Sequence, residues 1–321
     1  MAISAKPLLS VVVPVYNEES VILETYKRLK TVLDSMSIEY EVILVNDGSK
    51  DKTAEMATEI CTNDTAWKFL NFSRNFGHQI AITAGMDYSS GEAIVVIDAD
   101  LQDPPELIPQ MMEKWHEGFD VVYAKRVKRD GETFFKKFTA KMFYKLMRYM
   151  TDFDLPTDVG DYRLIDAKVR EALKLVNERN RYIRGIISWL GFKQTAVEFN
   201  REKRFAGETK YPLRKMIKFA FDAITAFSYK PLKIATYLGT FVSIASFIYL
   251  IVVIVSAIIG KTAPGWASTL AVSLFFNGVV LVILGIIGEY IGRIFDEVKA
   301  RPLYIVARTI NLENESLNAR K

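Results

Sequence analysis

The chain has 321 residues, room for one large domain with an appendage or for two modest domains. Lysine and arginine number 42 against 38 aspartates and glutamates, and a surplus of only +4 argues against a nucleic-acid partner. Half of the residues are hydrophobic, a high share for a soluble protein, and the single cysteine, Cys61, excludes an intramolecular disulfide.

The first apolar run, "LLSVVVPVY", ends in Pro, Asn and two Glu with no cleavage pattern, so it reads as a first strand and not a signal peptide. A helix follows, with Val21, Ile22, Thr25, Leu29, Val32, Leu33 and Met36 along one side. "EVILV" is the second strand, with a helix from about Lys52 to Thr62 behind it. "WKFLNF" is a short third strand, His78 to Tyr88 a helix, "AIVVI" (Ala93 to Ile97) a strand and "DVVYA" (Asp120 to Ala124) a later one. Continuous apolar strands between helices predict a mostly parallel sheet covered on both faces, an α/β fold.

In such sheets ligands bind beyond the carboxyl ends of the strands. Those ends carry "PVYNEE" (Pro14 to Glu19), "VNDGS" (Val45 to Ser49) and "DADLQD" (Asp98 to Asp103). No G-x-G-x-x-G follows the first strand and no G-x-x-x-x-G-K-[ST] occurs, which excludes a simple dinucleotide binder and a P-loop enzyme. "NDGS" is not a hairpin turn, because the residues after it have a helical pattern.

"DADLQD" is not an EF-hand loop: the sixth position would be Asp103 instead of Gly, and the twelfth Pro109 instead of Glu. In extended backbone Asp98 and Asp100 point the same way. Two such carboxylates, with Gln102 close behind, can hold one Mg²⁺ or Mn²⁺ whose shell waters and phosphates complete. Asp103, just before Pro104, is predicted to cap the next helix. Asp47, at a strand end, is placed to bond a base or ribose.

Ile234 to Ile259 is 26 residues without a charge, and Thr262 to Gly288 another 27. Roughly 20 apolar residues suffice for a helix to cross a bilayer, so both runs are predicted spans, joined by a turn at Lys261, Pro264, Gly265 and Trp266. Lys230 and Lys233 precede the first span, Arg293, Lys299 and Arg301 follow the second, and only Lys261 lies between them. The positive-inside rule then places both termini in the cytoplasm. Phe134 to Met150 and Tyr211 to Lys230 are basic amphipathic segments that either lie in the headgroup layer or pack on the domain. Glu289 is predicted to pair with Arg293 one turn on. "RPLYIVAR" near the end reads as an exposed strand able to pair between subunits, which predicts a homo-oligomer.

Taken in order, "SVVVPVYNEE", "VNDGS", "DADLQDPPE" and "VGDYRLID" resemble an inverting family-2 glycosyltransferase of GT-A fold, the Rossmann-like nucleotide-diphospho-sugar transferase architecture. They are most similar to its polyprenyl-phosphate branch, which includes dolichol-phosphate mannose synthase. The two spans and "GEYIGRIFDEVKARPLYIV" resemble the bacterial bactoprenol glucosyltransferases called GtrB.

The resemblance implies a nucleotide-sugar donor, UDP-glucose before GDP-mannose or a UDP-pentose, a divalent metal, and undecaprenyl phosphate as acceptor at the inner membrane. It implies that Pro14, Tyr16, Glu18 and Asp47 line the nucleoside pocket, with Ser73 and Arg74 in the loop beside it. Asp98 would meet the donor, while Asp100 and Gln102 would hold the metal. Arg126, Arg201, Arg204 and Lys210 would meet phosphates. Asp161, with Asp158 as its alternative, would face the reacting centre; His78 is either a helix residue or a ligand. The implied organisation is a cytoplasmic catalytic domain at 1–230, a two-helix membrane hairpin at 231–292 (spans 234–259 and 266–288) and a cytoplasmic tail at 293–321. The resemblance favours a tetramer and implies a small membrane flippase acting downstream. A processive polysaccharide synthase would carry Q-x-x-R-W and further spans, both absent here, and the remaining rival is a membrane-anchored nucleotide-sugar-binding scaffold.

Overall fold

The computed structural model describes residues 7–126, 159–199, 229–260 and 265–312. Asp158, Arg201, Arg204, Lys210, Lys261 and both amphipathic segments up to residue 228 lie outside them. The chain divides into two units, one holding the N-terminal residues together with Ala300–Lys321, the other holding the long apolar helices.

The first unit is built on an eight-stranded sheet. Its strands are β1 (Leu9–Val15), β2 (Tyr40–Asn46), β3 (Trp67–Phe72), β4 (Ala93–Val96), β5 (Val121–Arg126), β6 (Val159–Asp166), β7 (Gln194–Phe199) and β8 (Val306–Ile310), in the order β7-β5-β6-β4-β1-β2-β3-β8. β4, β1, β2 and β3 are parallel neighbours, because helical crossovers return the chain to the same sheet edge. β6 runs antiparallel between β4 and β5, and β8 antiparallel along β3.

The helices are α1 (Ile22–Ser35), α2 (Thr53–Asn63), α3 (His78–Tyr88), α4 (Ile108–His116), α5 (Ala167–Leu175) and α6 (Ile183–Trp189). α1 buries Ile22, Thr25, Leu29, Val32 and Leu33, the stripe expected from its spacing. Ile22, Leu29 and Leu33, with Ile60 of α2 and Met111 of α4, pack on Val11, Val13, Val42, Leu44 and Val95 of the strands. α3 covers the opposite face so closely that a side chain at Gly85 would strike Val12.

Two expectations change. Asp103 caps no helix: a 3-10 turn starts at Pro105, α4 at Ile108, and neither has a side-chain cap. Asp103 is instead buried, with Arg126 Nη2 3.5 Å from its Oδ1. Of "RPLYIVAR" only Val306–Arg308 are strand, and this strand pairs with β3 of its own chain. Val306–Ile310 therefore extend the sheet of the first unit at its β3 edge.

The second unit contains α7 (Lys230–Ile258) and α8 (Trp266–Lys299), which contact each other. Both are long and apolar enough to cross a membrane, and their most apolar windows bury nothing within the protein. Residues such as Phe241, Phe247, Leu274 and Leu281 stand exposed all round them, a pattern that suits lipid and not water. Arg293 Nε and Nη2 reach Glu289 Oε1 at 3.2 and 3.1 Å, the expected i,i+4 pair.

Candidate active site

The loops after β1 and β2 are tied together at the carboxyl edge of the sheet. Asn17 donates its N–H to Ser49 Oγ at 3.0 Å and accepts the Lys50 N–H at 2.9 Å, while Glu18 N–H bonds Thr53 Oγ1 at 2.8 Å. Pro14 is buried within β1, Glu18 is half-buried and Tyr16 presents its ring to solvent. Asp47 is almost fully buried. Its carboxylate accepts N–H groups from Phe76 (2.6 Å) and Gly77 (3.0 Å), so its direct work is to hold the Ser73–Gly77 loop. Burial pushes its pKa up, and those two N–H groups oppose the shift. Gly48 has φ +68°, and a Cβ there would lie 2.5 Å from the Arg74 carbonyl carbon, so only glycine lets the two loops meet. Ser73 and Arg74 are exposed on that loop, with the Arg74 guanidinium 4.1 Å from the Phe76 ring centroid.

The central cluster follows from the antiparallel insertion of β6. β4 and β6 pair antiparallel as far as Val96 with Arg163, and beyond that last pair Asp98 and Asp161 both come within reach of His78. Gly77 opens α3 and sets His78 between them, Nε2 3.4 Å from Asp98 Oδ1 and 3.4 Å from Asp161 Oδ2. Arg184 of α6 grips Asp161 with two prongs, Nε–Oδ1 2.7 Å and Nη2–Oδ2 3.0 Å, and Gln79 Nε2 adds a bond at 3.1 Å. Gln79 Oε1 in turn accepts the Ile183 N–H at 3.0 Å, which ties α3 to the start of α6.

These neighbours push the two carboxylates apart electrostatically. Burial works against ionisation of Asp161, but Arg184 and His78 outweigh it and hold its pKa far below the usual carboxylate range. Burial pushes Asp98 up to about 6; His78 opposes this, and Asp161, Asp100 and Asp103 add to it. Burial also disfavours the His78 cation, yet Asp161 and Asp98 raise its pKa overall. Arg163, buried beneath the pair, donates to Gly160 O at 2.9 Å, and burial lowers its pKa to about 10. One buried oxygen in the cluster, Asp98 Oδ1, lacks a hydrogen-bond partner, as does Arg126 Nε, among the described residues.

The oxygens of Asp98, Asp100 and Gln102 are hard donors suited to Mg²⁺ or Mn²⁺. Among the described residues no three His, Cys, Asp or Glu converge on one point. The residues therefore fit a small cation that keeps waters and shares substrate phosphates, and do not form an all-protein cage.

Residues 10–173 match glycosyl transferase family 2, and residues 230–294 match the GtrB C-terminal hairpin. The chain belongs to glycosyl transferase family 2. YkcC, an uncharacterized glycosyltransferase of Bacillus subtilis (strain 168), is 59% identical over 309 residues, 96% of each chain. The prophage bactoprenol glucosyl transferase homolog of Escherichia coli (strain K12) is 42% identical over 301 residues, 94% of this chain and 98% of that one. The bactoprenol glucosyl transferase of Shigella phage SfII is 42% identical over 302 residues, again 94% and 98%. This glycosyltransferase has the GT-A architecture expected from its motifs, with two apolar helices appended. Its cluster brings together Asp98, Asp161 and His78 from the expected set. It adds Gln79 and Arg184, whose sequence context offers only a helix start and a basic stretch, "RNRYIRG".

Proposed function

We propose that this glycosyltransferase moves glucose from UDP-glucose to undecaprenyl phosphate at the cytoplasmic face of the inner or plasma membrane. The observation that carries the reading is the Asp98–His78–Asp161 cluster at the carboxyl edge of the sheet, in a chain that also carries two lipid-suited helices. The names of the bactoprenol-acting relatives support the acceptor class, and the excess of positive charge outside the apolar turn supports cytoplasmic termini.

A lipid phosphate is already an anion at neutral pH, so its attack on the anomeric carbon needs no strong base. Asp161 suits that chemistry: Arg184 keeps it ionised, so it serves as a fixed negative charge that orients His78 and faces the developing positive charge on the sugar. Asp98, with a buried oxygen free of hydrogen bonds, meets the donor. In-line attack converts an α-linked donor into a β-linked lipid-phosphate sugar, with the nucleoside diphosphate leaving. Tyr16, Glu18, Ser73 and Arg74 border the nucleoside side; Asp100 and Gln102 would hold Mg²⁺ or Mn²⁺, which when bound offsets charge on the departing diphosphate. Arg126, Arg201, Arg204 and Lys210 supply phosphate contacts.

The test is label transfer by the purified full chain from UDP-glucose, GDP-mannose and a UDP-pentose to undecaprenyl phosphate, with and without chelator. Labelled lipid from UDP-glucose above all, lost on chelation, is expected. Labelling from another donor would replace the sugar assignment, and binding of donors without any lipid product would favour the scaffold reading.

A further inference from the structure

Residues 304–311 lie outside both family matches, 10–173 and 230–294, yet they are built into the catalytic sheet. Tyr304 is 6% exposed and touches the β3–loop–α3 unit at both ends. Its ring stacks on Phe72 at the end of β3, centroids 5.3 Å apart at 15°, and its hydroxyl donates to Asp87 Oδ2 in the last turn of α3 at 3.2 Å. The next residue, Ile305, accepts the Ser73 N–H at 2.9 Å, so the strand also holds the first residue of the loop. Phe72 packs edge-on against Phe76, 5.6 Å away, within that loop. The loop's far end is fastened by Asp47 and leads straight into His78 and Gln79, the two residues of α3 that reach Asp98 and Asp161.

We propose that Tyr304 is a positioning residue of the active site: the strand that follows the apolar helix pair clamps the β3–α3 unit and so sets where His78 and Gln79 present their side chains. The physical reason is leverage. A loop of five residues, Ser73 to Gly77, connects β3 to α3, and α3 packs on β1 and β2 without a side-chain cap of its own. Asp47 fixes one side of the loop. Without the Tyr304 side chain the outer side would keep the Ser73–Ile305 backbone bond and the Phe72–Phe76 contact but lose the ring stack on Phe72 and the hydroxyl bond to Asp87. The inference rests on the glycosyltransferase reading for its catalytic readout, but its structural readout needs no substrate.

The experiment compares full-length Tyr304→Ala, Tyr304→Phe and Asn311→Ala with the parent chain in detergent. Asn311 anchors the other end of the strand, bonding Cys61 O at 2.5 Å and Trp67 O at 2.8 Å, and serves as the stability control. Tyr304→Ala is expected to speed hydrogen exchange of the 73–79 amides by about tenfold and to lower kcat by a similar factor. Tyr304→Phe, which keeps the ring stack, should recover most of both losses. Asn311→Ala should lower the melting temperature without a selective change at 73–79. Unchanged exchange at 73–79 in Tyr304→Ala would overturn the inference whatever the activity. So would losses that only follow melting temperature across all three variants. If exchange responds but even the parent chain transfers no sugar, the clamp stands and the glycosyltransferase reading fails.

Discussion

Arg184 and Asp161 form a two-pronged ion pair, Nε to Oδ1 at 2.7 Å and Nη2 to Oδ2 at 3.0 Å, between α6 and the start of strand β6. The pair keeps a buried carboxylate charged at the edge of the sheet beside His78, which a lone aspartate in that position would not sustain. Arg184→Ala should therefore destabilise the domain by about 3 kcal/mol, because it strands a buried charge. Arg184→Lys should recover part of that loss but not the two-pronged geometry. Thermal melts of the purified chain check the order parent, Lys variant, Ala variant.

Asp100 and Asp103 should separate cleanly. Asp100→Ala is expected to abolish sugar transfer with the melting temperature unchanged. Asp103→Ala removes the buried carboxylate beside half-buried Arg126 and should cost about 1–3 kcal/mol. Parallel assays and melts of the two variants test this; matching profiles would contradict the separate roles.

Gly48→Ala should be damaging although it adds one methyl group. The position has φ +68°, and the new Cβ would meet the Arg74 carbonyl carbon at 2.5 Å. The expected cost is roughly 1–3 kcal/mol, with a raised KM for the nucleotide donor because the Ser73–Gly77 loop must move. Donor-titration kinetics read the second effect.

Acid stability should depend on Glu41, far from the site. Its buried carboxylate bonds Ser10 Oγ (2.5 Å) and Ser90 N–H (2.6 Å) and pairs with Lys68. Burial opposes its ionisation, but Lys68, Ser10 and Ser90 win and lower its pKa below the ordinary 4.5. The folded pKa is the lower one, so Glu41 contributes stability above the unfolded value, and that contribution is lost as pH falls through the folded value. Glu41→Gln should start less stable at neutral pH and show a flatter loss of stability below about pH 4.5 in acid melts.

Much of the fold was legible from periodicity. His78–Tyr88 and Trp67–Phe72 fall where their patterns put them, because each buries a face set by neighbours a few residues away. The antiparallel insertion of β6 was not legible: "VGDYRLID" sets Asp161 and Arg163 among its apolar residues, and its place between β4 and β5 depends on pairing across tens of residues. The same limit hid the partner of β8, which meets β3 more than 200 residues earlier in the chain. In the site, Asp98 and Asp161 could be marked from strand ends and motif, whereas Arg184 could not. One arginine among several in "ERNRYIRG" looks like a solvated basic stretch until α6 turns it onto a carboxylate. Asp103 misled for a local reason: Asp-Pro before a helical run suits a cap, but the backbone leaves β4 through Leu101 at φ +56° and delays the helix to Ile108.

The most direct measurement is sugar transfer to undecaprenyl phosphate by the purified chain, with the linkage of the product determined by NMR. The account expects a β-linked glucosyl phosphate lipid from UDP-glucose, formed by the parent chain and absent for Asp100→Ala. An α-linked product, or no glycolipid from any nucleotide sugar while donor still binds, would contradict it.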